Sequence, residues 1–158
     1  MKRYILTIFC VLAVIYFLSS MPYEKQSIIP ELHVLLANQP FKELLSNIEI
    51  TYWGRTISIE ESGYFHFIEF LFRKGAHFFG YGIVGVILYL FYRKMRWQLP
   101  SLLAIGSVFV IGGLDELRQR FTPGRTGIFQ DVLLDTSGAI TCILLTKFVL
   151  WLFAPRRV

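Results

Sequence analysis

Four long apolar runs decide what this chain can become. Tyr4 to Leu18 carries no charge and stops at Ser19-Ser20-Met21-Pro22; further runs cover Lys74 to Tyr92, Leu99 to Leu114 and about Phe129 to Phe153. A helix rises about 1.5 Å per residue and the hydrocarbon core of a bilayer is about 30 Å thick, so each run is close to the length of one crossing. With 54% hydrophobic and 16% aromatic side chains in 158 residues, and a mean hydropathy of +0.53, the chain is too apolar for a soluble domain of its size. The expected fold is all-α: a single domain over residues 1–158, a polytopic membrane helical bundle with four transmembrane helices at about 4–20, 74–92, 99–114 and 129–153. One long connection, residues 22–72, follows the first helix.

Charge orients this bundle. Lys2, Arg3, Arg93, Lys94, Arg96, Arg156 and Arg157 sit in short flanks without acids, the pattern of a cytoplasmic face. Both termini are therefore expected in the cytoplasm, with the 22–72 and 115–130 connections facing outward. The net charge of +5 does not suggest nucleic acid, because the basic residues punctuate apolar runs rather than forming one patch. The basic start and apolar centre of the first run also fit a signal peptide cut after Ser20. An uncleaved helix is the expectation, since a first span usually sets orientation. Cys10 and Cys142, both inside apolar runs, read as small buried hydrophobes.

The outer connection has local signals. Ile48 to Ile59 alternates around Trp53-Gly54, as a small hairpin does. Ser58 and Glu61 fit a capping box. A helix is expected from there through Tyr64, Phe65, Phe67, Phe70 and Phe72, an aromatic face that either lies at the lipid interface or anchors the next span. Pro123 and Gly124 suit the centre of a type II turn over Thr122 to Arg125.

Function concentrates in Asp115 to Gly138, where four acids and three arginines crowd the approach to the last apolar run. His77 lies about 24 Å along its helix from Arg93, and Asp115 about 24 Å from Leu99. Asp135 lies about 28 Å from Ala154, with Asp131 about 6 Å further out. Lys74 joins the same level near the outer surface. An Asp at the bilayer centre costs about 2.5 to 3.5 kcal/mol, and even near the interface such groups should turn towards water or one another. Asp131 and Asp135 are also i,i+4 on one helical face, which calls for a neighbouring cation. Ala76, Gly80 and Gly85, with Gly138-Ala139 on the last run, offer small surfaces for close helix contact.

Each polar residue also has a plainer role. His77 reads first as an interfacial histidine bonded to a neighbour, and otherwise as a proton acceptor or metal ligand. Asp115 with Arg118, and Glu116 with Arg120, have ordinary helical ion-pair spacings, although the two acids could also act as general acid and base. Arg125, in its turn, could hold a phosphate or carboxylate with its planar fork. Lys147 is expected to snorkel, and His33 and His66 carry no pattern. Nucleophile elbows, P-loops, zinc-ligand spacings and nucleotide fingerprints are absent.

Lys74-x-x-His77-Phe78-x-x-Tyr81, then Asp115-Glu116-x-x-Gln119-x-Phe121-x-Pro123-Gly124-Arg125, then Asp131 and Gly138, resemble the VanZ family of small bacterial membrane proteins. The motifs cover residues 70 to 140 closely, and the four-span layout is similar throughout. Where that family often has Asn four residues after the Asp, this chain has Asp135, an added negative charge. The resemblance implies the bacterial cytoplasmic membrane and, by analogy with the founding member, resistance to the glycopeptide teicoplanin. It also adds Tyr81 and Gln119 to the candidate ligand-binding set of Lys74, His77, Asp115, Glu116, Arg125, Asp131 and Asp135.

Two functions are expected from different classes. One is a binding protein of the cell envelope whose outward site recognises a membrane lipid, a cell-wall lipid intermediate or a lipophilic glycopeptide. The other is a membrane enzyme acting on a lipid-linked phosphate or a peptide bond, with Asp115 and Glu116 as acid and base and His77 assisting. No cofactor is expected for the first; a divalent cation at Asp131 and Asp135 accompanies the second. A small transporter is the weaker third, since four spans leave little room for alternating access without oligomerisation.

Overall fold

A computed structural model describes residues 2–153. Helix α1 (Lys2–Ser20) is followed by a 3-10 turn (Tyr23–Gln26), α2 (Ile29–Leu35), α3 (Lys42–Ser46), strands β1 (Ile50–Tyr52) and β2 (Arg55–Ile57), and α4 (Ile59–Ser62). Three long helices complete the chain: α5 (Tyr64–Lys94), α6 (Pro100–Gln119) and α7 (Phe129–Leu152). The expected basic flank at Arg156 and Arg157 lies outside the described residues.

The last three helices are each long and apolar enough to cross a membrane, and α1 joins α2 across a 120° bend as a further candidate span. Their large apolar side chains outside the core, Phe79, Ile83, Leu102, Val110, Leu114, Leu144 and Phe148 among them, stay exposed. An apolar surface of that extent suits lipid and not water. Inside, Tyr81, Val84, Leu88 and Tyr89 of α5 pack with Ala104 and Val108 of α6 and Ala139 and Ile143 of α7; Ile8, Val11, Leu12 and Ile15 of α1 close one side.

Close approach of α5 and α7 depends on small residues. A Cβ at Gly138 would run into the Phe78 backbone, and one at Gly85 would sit 2.7 Å from the Ala139 Cβ. Gly82 faces Cys142 in the same seam. The expected Ala76 and Gly80 pair does not contribute: a Cβ on Gly80 meets nothing, and both residues line a cavity beside α1. Cys10 also differs from expectation, being exposed on α1, where it lines the same cavity.

Two helices outrun their apolar sequence. α5 starts ten residues before Lys74 and spans 31 residues, about 46 Å, well beyond a 30 Å hydrocarbon core. Its first turns carry a second small core of Leu32, Ile59, Tyr64, Phe67 and Ile68 under the connection. Phe67 is fully buried there and packs on protein, whereas Phe72 of the same aromatic run is 59% exposed. α6 likewise continues through Asp115 and Glu116 to Gln119. The hairpin forms with Ile50 opposite Ile57 and Tyr52 opposite Arg55. Ser58 caps its helix through the Glu61 N–H, but that helix lasts one turn, because Gly63 takes φ 81°, outside the helical range.

Candidate functional site

The polar residues of α5, α6 and α7 meet where α6 turns into α7. The Arg125 N–H donates to the Thr122 carbonyl at 3.1 Å, and Gly124 supplies the φ of +72° that this turn requires. Glu116 then reaches forward: its Oε2 accepts the Ile128 N–H at 2.8 Å, at the start of α7. That amide is one of the donors a helix leaves unpaired at its N-terminus, where the helix dipole favours an anion. The expected Glu116–Arg120 ion pair is therefore not made. Arg120 Nε donates instead to the Gly127 carbonyl at 3.1 Å, tying the same turn from its other side.

Asp115 is saturated by neighbours. One oxygen accepts from Arg118 at 2.9 Å and from the Ser19 hydroxyl, and the other from Gln119 Nε2 at 2.9 Å. Arg118 also donates to Ser19 and Ser20 and lies 4.6 Å from the Tyr16 ring centroid. The end of α1 is thereby fastened to α6 through an acid buried in the bundle. Across the site, Lys74 Nζ pairs with Asp131 at 2.5 Å and stands 4.4 Å from the Tyr52 ring, whose hydroxyl donates to the same carboxylate. Burial, then the Asp131 hydrogen bond and charge, raise the Tyr52 pKa above its usual value.

His77 Nδ1 lies 3.3 Å from Asp135 Oδ1 and stacks beside the Tyr81 ring at 6.1 Å. His77, Glu116 and Asp135 each present a ligand atom within 4.8 Å of the others. Asp131 and Asp135, named above for a cation, have separate partners in Lys74 and His77.

A cavity of about 540 Å³ opens beside these groups. Cys10, Val11, Val14, Ile15 and Leu18 of α1 face Ala76, Gly80 and Ile83 of α5 across it, while Arg73, His77, Asp115 and Arg125 stand at its polar end. Arg125 Nε is buried and has no acceptor. Burial first, and the charge of Arg73 second, lower the Arg125 pKa. Of the candidate residues, His77, Tyr81, Asp115 and Arg125 line this cavity, and Glu116, Gln119, Lys74, Asp131 and Asp135 do not.

Sequence reasoning missed several members. Ser19 and Tyr52 each hold a site carboxylate, and Arg73 lines the cavity. Glu69, buried on α5, accepts from Tyr23 at 2.7 Å and from the Ile28 N–H at 3.0 Å, anchoring the connection. The same contact, after burial, raises the Tyr23 pKa. An acid within the aromatic run Tyr64 to Phe72 was the available signal.

The VanZ/LLP1 family model matches residues 4–152. No curated protein and no solved structure matches the chain.

Proposed function

We propose that this protein, which belongs to the VanZ/LLP1 family, binds an anionic amphiphile of the cell envelope at the outer side of the cytoplasmic membrane. The carrying observation is the buried, acceptor-free Nε of Arg125 at the polar end of an otherwise apolar cavity. An unpaired guanidinium N–H is costly to bury, and a phosphate or carboxylate supplies the missing acceptor with a charge-assisted bond. Arg73, paired with Glu69 at 3.5 Å, adds a second guanidinium at the same rim, and its charge acts on Arg125. The apolar walls from α1 and α5 suit an acyl or prenyl chain. A cell-wall lipid intermediate or a lipophilic glycopeptide has both parts.

The proposed topology has four spans, with α1 as the first, both termini cytoplasmic and the connection between α1 and α5 outside. Acid-free basic flanks at Arg93, Lys94 and Arg96 support that orientation. The test is mass spectrometry of lipids co-purifying with wild type and with Arg125→Ala. An anionic lipid enriched on wild type and lost on the variant supports the reading; identical lipid profiles count against it.

A second reading, a membrane enzyme acting on a lipid-linked phosphate, is favoured by the Glu116 Oε1, which no donor reaches, close to His77. Asp115 is too fully bonded to serve as its partner acid. Release of phosphate from a lipid-linked diphosphate by purified protein, abolished in Glu116→Gln, is the result this reading requires.

A further inference from the structure

We infer that His77, Glu116 and Asp135 form a binding site for one divalent first-row transition ion, which shares Asp135 with the cation position expected from the sequence but takes His77 and Glu116 in place of Asp131. Their ligand atoms lie within 4.8 Å of one another, drawn from three different helices. Ligand atoms around a tetrahedral ion at about 2.1 Å stand roughly 3.4 Å apart. The His77 to Asp135 separation of 3.3 Å already meets that spacing.

The independent observation is unspent bonding capacity. Glu116 Oε1 and Asp135 Oδ2 are buried without any hydrogen-bond partner, on residues only 4% and 1% exposed. Buried carboxylate oxygens normally find donors, and a protein that leaves two idle beside one imidazole has left room for another partner. Lys74 pairs with Asp131 and Arg118 with Asp115, and the Arg125 charge acts on Glu116 without a hydrogen bond, so no cation is bonded to Glu116 Oε1 or Asp135 Oδ2 beside His77. A dication with neutral His77 brings that group to zero.

The donor set selects the ion class. One imidazole nitrogen with two carboxylate oxygens suits zinc or manganese, whereas calcium and magnesium favour oxygen-only shells. Outer contacts position the ligands: the Ile128 N–H holds Glu116 Oε2, leaving Oε1 free. Three protein ligands leave a coordination position open. His77 also lines the cavity, so the ion stands at its edge, although its binding needs no lipid.

The experiment uses the full chain, purified in detergent without chelator, loaded separately with Zn²⁺, Mn²⁺, Mg²⁺ or Ca²⁺, desalted and measured by elemental analysis. The expected result is one zinc or manganese per chain and almost no magnesium or calcium. His77→Ala, Glu116→Gln and Asp135→Asn each weaken retention by at least about tenfold. Glu60→Gln, an exposed acid on α4, retains the wild-type amount. Should a variant fail to fold, wild type alone still decides: zinc or manganese raises its Tm by several degrees and magnesium does not. Wild type that retains no ion and gains no Tm overturns the site, as does full retention by a folded Glu116→Gln. Loss of lipid in the Arg125→Ala measurement leaves these readouts unmoved, so the two proposals fail separately.

Discussion

Glu116 Oε2 accepts the Ile128 N–H at 2.8 Å, so an acid near the end of α6 fixes where α7 begins. The bond spans a connection that turns at Thr122 to Arg125, and it holds Arg125 at the mouth of the cavity. Glu116→Ala leaves that buried amide unpaired, at a cost of about 1 to 3 kcal/mol. Glu116→Gln keeps an acceptor and is expected to lose less. Thermal unfolding in detergent ranks the two variants; equal losses would show that the bond is not what matters.

Lys74, Asp131 and Tyr52 join α5, α7 and the hairpin, and they should behave as one unit. A double-mutant cycle on Lys74→Met and Asp131→Asn is expected to give a coupling of about 2 kcal/mol. Additive losses would contradict the pairing.

Tyr52 also carries a pH prediction. Its folded pKa is raised, so the stability it contributes is complete below the unfolded value of 10.0 and is lost as pH rises through the higher folded value. Asp131→Asn removes the neighbouring charge and should lower the Tyr52 pKa, though burial keeps it above that of a free tyrosine. Ultraviolet titration of the wild type and Asp131→Asn, each against its Tyr52→Phe counterpart, measures the shift. Ionisation at the same pH in both backgrounds would remove Asp131 as a cause.

Glycine substitutions separate packing from open space. Gly138→Ala drives a methyl into the Phe78 backbone and should destabilise the α5–α7 seam by about 1 to 3 kcal/mol. Gly80→Ala, on the same α5 helix but facing open space, should stay within about 0.5 kcal/mol of wild type. Reversal of that order in thermal unfolding would contradict the helix packing.

The apolar runs, the hairpin and the turn before α7 were legible in the sequence because each rests on local chemistry. Helix limits were not. Apolar composition stops where a helix leaves lipid, but its backbone hydrogen bonds continue, as α5 and α6 demonstrate at Tyr64 and Gln119. Charged candidates could be placed by depth along a helix, and Lys74 with Asp131 and His77 with Asp135 do come into contact. Partners that are neutral or distant left no pattern: Ser19 stands 96 residues from Asp115, and Tyr52 stands 79 from Asp131. The Glu116–Arg120 spacing misled because a competing acceptor role at Ile128 and a competing carbonyl at Gly127 engage the two side chains separately.

The claim that Arg125 and the cavity hold an anionic amphiphile is tested most directly by comparing two ligands with the same chains and different heads. Native mass spectrometry of the full chain should show a diacyl phosphate binding about 10 to 100 times more tightly than the matching neutral diacylglycerol, a ratio set by charge-assisted bonds of about 1.5 to 3 kcal/mol. Arg125→Ala should erase most of that ratio, and Gly80→Phe, which fills open space beside α1, should weaken both ligands together. Equal affinity of wild type for the charged and neutral lipids would contradict the account.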